Sequence, residues 1–250
     1  MKARARAARL LAQGELGEPM RENPDRPVSS VLHGRRCGKP LAHYQRELVR
    51  TLLPRLALDV SAPIPAPAVL FPRAPDEIWL EIGFGGGEHL LSAAARHPGV
   101  GLIGCEPFLN GMARALADLA AGDFDNIRLH CGDAGELIDV LPAASIGRVF
   151  LFYPDPWPKR RQRKRRFISD EMLVRLARVM RSGAEFRFAT DIDDLCGWTL
   201  ARLLRSPDFI WRDSAAADWR SPWPDWPGTR YERKAIAEGR RPCYITAIRR

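Results

Sequence analysis

The sequence predicts an α/β fold, a largely parallel sheet with helices on both faces. Five short apolar runs, 77–82, 100–106, 126–133, 148–156 and 185–191, follow one another at intervals of about twenty to thirty residues. A stretch of helical periodicity separates each run from the next. The runs are apolar nearly throughout rather than alternating, as strands buried on both faces are.

The elements follow in order. Residues 1–40 mix Arg, Gly and Pro with little apolar periodicity and read as a flexible basic extension. Leu48, Leu52 and Leu56 recur at fourfold spacing and predict a helix within 41–58. Residues 61–75 contain five prolines and read as an extended connector, so that 41–75 is a helix plus a Pro-rich link. The catalytic-sized unit is 76–250. In it, EIWLEI (77–82) is the first strand and 87–96 a helix; VGLIGCE (100–106) is the second, followed by a helix at 110–121. NIRLHCGD (126–133) is the third, with a short helix at 134–141; RVFLFYPDP (148–156) is the fourth, with a helix at 168–181. EFRFATD (185–191) is the fifth, with a helix at 192–205, and PCYITAIRR (242–250) is a final strand.

Composition narrows the class. At 250 residues the chain can bury a sizeable core as one large domain or two small ones. The net charge is +9, but it is concentrated: KRRQRKRR at 159–166 holds seven cations, and Lys2, Arg4, Arg6 and Arg9 four more. Without these eleven the remainder carries −2. Two basic blocks on a near-neutral body suggest a polyanionic partner met at a defined place. No run of about 18 apolar residues is present, so no membrane span is expected, and the Arg-rich start lacks the apolar stretch of a secretory signal. The cysteines (Cys37, Cys105, Cys131, Cys196, Cys243) are odd in number and form no CxxC pair. Buried thiols, no metal site and a reducing, cytoplasmic compartment are expected.

Ligands of an open α/β sheet bind beyond the carboxyl ends of its strands. Five such ends carry an acid here: Glu81, Glu106, Asp133, Asp155 and Asp191. Together they suit a ligand rich in hydroxyls, amino groups or base edges. After the first strand, Glu81-Ile82-Gly83-Phe84-Gly85-Gly86-Gly87 fits a pyrophosphate fingerprint poorly, since Glu88 would oppose the phosphates. It fits [DE]xGxGxG, with Glu81, Gly83, Gly85 and Gly87 cradling a ligand such as the amino-acid part of S-adenosylmethionine. Glu106 stands where an acid can accept from both hydroxyls of a ribose. Asp133 can cap the next helix, accept from an adenine amino group, or do both.

The segment Phe152-Tyr153-Pro154-Asp155-Pro156-Trp157-Pro158-Lys159 is the most distinctive. Its prolines stiffen a loop that presents an acid and a ring. Trp157 suits stacking on an unpaired base, Asp155 suits the donor edge of guanine, and the cations that follow suit phosphates. Thr190 and Asp191 end the fifth strand towards the same cleft, and Gly228-Thr229-Arg230-Tyr231-Glu232-Arg233-Lys234 reads as a loop and short helix after a stretch containing Trp219, Trp223 and Trp226.

Taken together, LEIGFGGG (80–87), GCEPF (104–108), GDA (132–134), FYPDPWPKRRQRKRR (152–166), ATD (189–191) and GTRYE (228–232) resemble the bacterial tRNA (guanine-N7)-methyltransferase (TrmB) family, in order and over most of the chain. The resemblance implies the Rossmann-like fold of class I S-adenosylmethionine-dependent methyltransferases, with a mixed seven-stranded sheet. It implies S-adenosyl-L-methionine as donor, S-adenosyl-L-homocysteine as product, and the guanine at tRNA position 46 in the variable loop as acceptor. By the same resemblance Glu81, Glu106, Asp133 and Asp155 line the cofactor pocket, and Asp155 is the catalytic residue. Lys159, Asp191, Thr229, Arg230, Tyr231 and Glu232 bind the substrate. The family often has His at the position of Gln162, so an imidazole base is not expected here. None is needed, because N7 of guanine has a lone pair and no proton to lose.

Two rivals make different predictions. Asp155-Pro156-Trp157 also resembles the loop of amino-methyltransferases acting on DNA or RNA bases, but lacks their second consecutive proline. A non-catalytic RNA-binding protein on this fold would have no use for the cradle at 81–87. An NAD-dependent reductase is disfavoured by Glu88. The expected partner is tRNA, with no membrane and no obligate protein partner, the chain acting as a monomer or homodimer.

Overall fold

The computed structural model describes residues 33–34, 36–211 and 215–250; most of the expected basic extension lies outside the described residues. Among the described residues the first elements are α1 (His43–Thr51) and α2 (Leu53–Leu56), not one helix, because Pro54 at the start of α2 has no N–H to continue the ladder. The Pro-rich stretch packs along the sheet rather than bridging open space. Leu58 N–H donates to Leu129 O at 2.9 Å and Ile64 N–H to Val140 O at 2.8 Å, with a short 3-10 turn at Pro67–Leu70 and Phe71 buried.

From there the elements are β1 (Glu77–Ile82), α3 (Glu88–Arg96), β2 (Val100–Cys105), α4 (Leu109–Ala120), β3 (Ile127–His130), α5 (Ala134–Val140), β4 (Ile146–Phe152), a 3-10 turn (Arg160–Arg165), α6 (Asp170–Val179), β5 (Met180–Thr190), α7 (Asp193–Arg205), β6 (Phe209–Trp211), α8 (Ala216–Arg220), α9 (Arg230–Ala237) and β7 (Cys243–Arg249). The sheet has seven strands in the order β3-β2-β1-β4-β5-β7-β6. Strands β1 to β5 pair in parallel, while β7 runs antiparallel between β5 and β6, so the sheet is mixed.

The period-two pleat splits the core between the two faces. Ile78, Leu80 and Ile82 of β1 and Val149 and Leu151 of β4 pack with Leu137, Leu176 and Leu195 from α5, α6 and α7. Trp79 of β1 and Phe150 and Phe152 of β4 pack on the other face with Val49, Leu90 and Met112 from α1, α3 and α4. Helix starts are capped where a hydroxyl or carboxylate was available: Ser169 accepts from Met172 N–H at 3.0 Å and Asp133 from Gly135 N–H at 2.6 Å.

One expectation needs correcting. Cys196 and Cys243 are joined by a disulfide, with Cα atoms 6.7 Å apart, because α7 packs on the start of β7. Cys37 is exposed, while Cys105 and Cys131 are covered thiols. Burial pushes the Cys131 thiol up to about 11 and the Cys105 thiol well above its usual range, so neither is a ready nucleophile.

Candidate active site

The site is built where β1, β2 and β4 end side by side. Gly83 and Gly85 hold φ of +71° and +58°, a left-handed geometry that lets the loop turn sharply off β1. A Cβ placed on Gly83 meets nothing within 4 Å, so the loop encloses open space at the strand end. At Gly87 a side chain would collide with Ala115 Cβ at 2.9 Å, which is how α4 comes to press against the start of α3.

Glu106 is buried, at 6% exposure, and both carboxylate oxygens are oriented by the main chain. Oε2 accepts from Gly85 N–H at 2.6 Å and Oε1 from Phe108 N–H at 2.8 Å. Each oxygen keeps acceptor capacity beyond that one bond. Burial pushes its carboxyl above the usual range; the N–H groups of Phe108 and Gly85 and the charge of Arg230 act against the rise, and Asp155 adds to it. A dihydroxy ligand would supply the donors that this desolvated carboxylate lacks.

Glu81 is also buried, and its Oε2 lies 2.8 Å from His89 Nδ1 on α3. The His89 ring sits among Phe150, Phe152 and Trp226, with centroids 4.6, 4.8 and 5.6 Å away. Asp133 is the cap of α5, one of the two roles its position allows.

The loop after β4 is strained at two points: Tyr153 and Trp157 have φ of +50° and +41°. Non-glycine residues in that region cost about 1–3 kcal/mol each and persist where surrounding bonds hold them. Here Tyr153 N–H donates to Ala189 O at 2.7 Å, and Arg166 Nε donates to Pro156 O at 2.9 Å. Asp155 is thereby held at the surface but crowded by its neighbours, with Oδ2 3.5 Å from where a Cβ on Gly34 would stand. The resulting desolvation raises its carboxyl above the ordinary aspartate range.

The basic run is not uniform. Arg166 is buried, at 3% exposure, and is also paired with Asp194 on α7, so it is a structural tie for the loop. Arg163 pairs with Asp194 at 2.8 Å, and the Arg165 guanidinium lies 5.0 Å from the Trp157 ring centre. Lys159, Arg160, Arg161 and Lys164 are exposed and face no acid among the described residues. Gln162, at the family's His position, donates its backbone N–H to Lys159 O at 2.8 Å. Arg166→Ala is expected to lower stability by about 1–3 kcal/mol, since it removes a buried guanidinium that packs on Trp198 and ties the strained loop through the Pro156 carbonyl. Urea unfolding of the variant beside Arg161→Ala, expected to be neutral, checks this.

The far segment reaches the glycine loop. Thr229, the cap of α9, accepts from Glu232 N–H at 3.1 Å, and both residues are buried. Arg230 and Tyr231 between them stand over Gly85: a Cβ there would lie 3.4 Å from Arg230 Nη2 and 3.5 Å from the Tyr231 ring. Arg230 Nε also lies 4.0 Å from Glu88, the acid that sequence alone placed against any phosphate. Asp191 is tied to the chain after this helix, its Oδ2 accepting from Arg240 Nε at 2.5 Å, and like Glu232 it acts electrostatically on Tyr153. The sequence reading missed His89 and Tyr244, counted Arg166 among the cations of the basic run and not as a structural tie, and noted Trp226 only as part of a Trp-rich stretch.

Comparison with known proteins identifies the family. Residues 75–244 match a family described as a putative methyltransferase. The tRNA (guanine-N(7)-)-methyltransferase of Nitrobacter hamburgensis is 54% identical over 213 residues, 85% of this chain and 84% of the relative. The protein of that name from Chelativorans is 51% identical over 228 residues, 91% of this chain and 98% of the relative. Among solved structures, the 16S rRNA methyltransferase KamB superposes with a TM-score of 0.50 at 19% identity, over 70% of this chain and 89% of that one, a likeness of fold. With identities above one half along nearly the full length of these relatives, the chain belongs to the tRNA (guanine-N(7)-)-methyltransferase family.

Proposed function

We propose that the protein transfers a methyl group from S-adenosyl-L-methionine to N7 of guanine 46 in the variable loop of tRNA, acting in the cytoplasm. The observation that carries this is the juxtaposition at Gly85. Its N–H is held by the carboxylate of Glu106, and Arg230 and Tyr231 stand against its Cα, so one loop borders both a cofactor acid and the segment assigned to substrate.

The residues fit the cofactor. The open space at Gly83 suits the methionyl part, and Glu106 is a preorganised acceptor for two ribose hydroxyls. Asp133, at the cap of α5, would accept from the adenine amino group, and Glu81, held by His89, would complete the acid set at the strand ends. When bound, S-adenosyl-L-methionine supplies an electrophilic sulfonium methyl and leaves as S-adenosyl-L-homocysteine.

The chain's own work is then alignment and charge stabilisation. Guanine N7 attacks in line with no base to assist, and the ring becomes cationic as it does so. Asp155 accepts from the guanine edge and places a carboxylate beside that charge. Lys159 and the exposed cations after it hold phosphates, and Asp191, with the Thr229–Glu232 turn, completes the substrate side. Glu106→Ala is expected to weaken binding of S-adenosyl-L-methionine at least about thirtyfold by isothermal titration, in line with loss of a charge-assisted pair of bonds. The position is tested by N7-specific strand scission of the methylated product. Scission after residue 46, absent from a transcript with adenine there, is expected; scission elsewhere would refute the assignment.

A further inference from the structure

Glu232 lies at 6% exposure, and its carboxylate receives three bonds from outside its own helix. Trp226 Nε1 donates to both oxygens at 2.8 Å, and the Tyr244 hydroxyl, from β7, donates to Oε1. Phenylalanine would fill the ring's place at Tyr244, so packing there does not require the O–H, and the Trp226 indole turns its N–H to the same carboxylate. Their convergence on one buried carboxylate specifies where that carboxylate goes. The backbone follows it: Gly228 turns at φ +72° with Glu232 Oε2 only 3.0 Å from where a Cβ would be, and Thr229 caps the helix through Glu232 N–H.

The donors are themselves fixed. Trp223 Nε1 donates to Thr246 Oγ1 at 2.8 Å, and its ring meets Trp226 and Tyr244 edge-on at 5.5 and 5.4 Å. Trp226 in turn packs on His89, whose Nδ1 is bonded to Glu81. One aromatic block therefore connects the acid at the end of β1 to the turn that carries Arg230 and Tyr231.

We propose that Trp226 and Tyr244 are positioning residues that act through Glu232 to hold Arg230 and Tyr231 over the glycine loop, and so set the alignment of guanine with the methyl donor. This rests on the methyl-transfer reading above. The Tyr244 hydroxyl, raised above its usual range by burial and then by Glu232, stays a donor at any working pH.

The test is a double-mutant cycle in the full-length protein, using unmodified tRNA and labelled S-adenosyl-L-methionine. Tyr244→Phe and Trp226→Phe are each expected to lower kcat about tenfold or more, with the Kd for tRNA within about threefold and Tm within a few degrees of wild type. In a background carrying both Arg230→Ala and Tyr231→Ala, Tyr244→Phe is expected to cost little more, because the groups it positions are already gone. Multiplicative losses in the cycle, wild-type turnover of both Phe variants, or a collapse of Tm in both would overturn the proposal. A wild-type enzyme that methylates a different atom would refute the functional reading, yet the cycle could still be read on that product.

Discussion

Asp155→Asn is expected to lower kcat by about 100-fold or more while the Kd for tRNA stays within about threefold, measured by single-turnover methylation and filter binding. The substitution keeps size and one acceptor oxygen but removes the charge and turns the other oxygen into an NH2 donor. N7 carries no proton, so a base has nothing to take; what changes along the reaction is the positive charge on the ring. Asp155 stands at the surface, yet partial desolvation by its neighbours raises its pKa. The sign follows from that rise. The active form is the carboxylate, present above its pKa and lost as pH falls through it. The acid limb of kcat is therefore expected above the ordinary aspartate value of about 4, and Asp155→Asn should abolish that limb. Full turnover by the variant would show that Asp155 does not act on the reacting ring.

Replacing Lys159, Arg160, Arg161 and Lys164 together by Gln is expected to weaken tRNA binding by one to two orders of magnitude, as removing several cations from a phosphate-binding surface does. The plot of log K against log salt should flatten by about 0.7–0.9 for each phosphate no longer neutralised. Cofactor affinity and Tm should hardly move, because these four side chains are exposed and have no acid partner among the described residues. Arg163, Arg165 and Arg166 are left in place, since Asp194, the Trp157 ring and the Pro156 carbonyl already engage them. An unchanged slope would remove the phosphate-binding role from the run.

Local pattern disclosed the strands that are buried and unbroken. EIWLEI is β1 residue for residue, because its apolar stretch from Ile78 to Leu80 is unbroken and glycines follow Ile82. Strand β5 begins five residues before the apolar run, at Met180, because its exposed Arg181, Ser182 and Gly183 look like loop although they continue the strand. Strand β6 is three residues long and leaves no period to detect. The 3-10 turn at Arg160–Arg165 has no buried face, and a solvated charge run carries no helical signature. The candidate acids and glycines were legible because strand ends are where such folds bind ligands. Their partners were not. Arg166 to Pro156, Arg230 to Glu88, Trp226 to Glu232 and Cys196 to Cys243 are set by how loops and helices pack, which no local periodicity encodes.

The central claim is that this site methylates N7 of guanine in tRNA. The most direct test is transfer of a labelled methyl from S-adenosyl-L-methionine to unmodified tRNA, followed by complete digestion and identification of the labelled nucleoside by mass spectrometry. The label is expected in 7-methylguanosine alone. Label in a nucleoside methylated on an exocyclic amine, or no transfer by a protein that still binds both tRNA and cofactor, would contradict it.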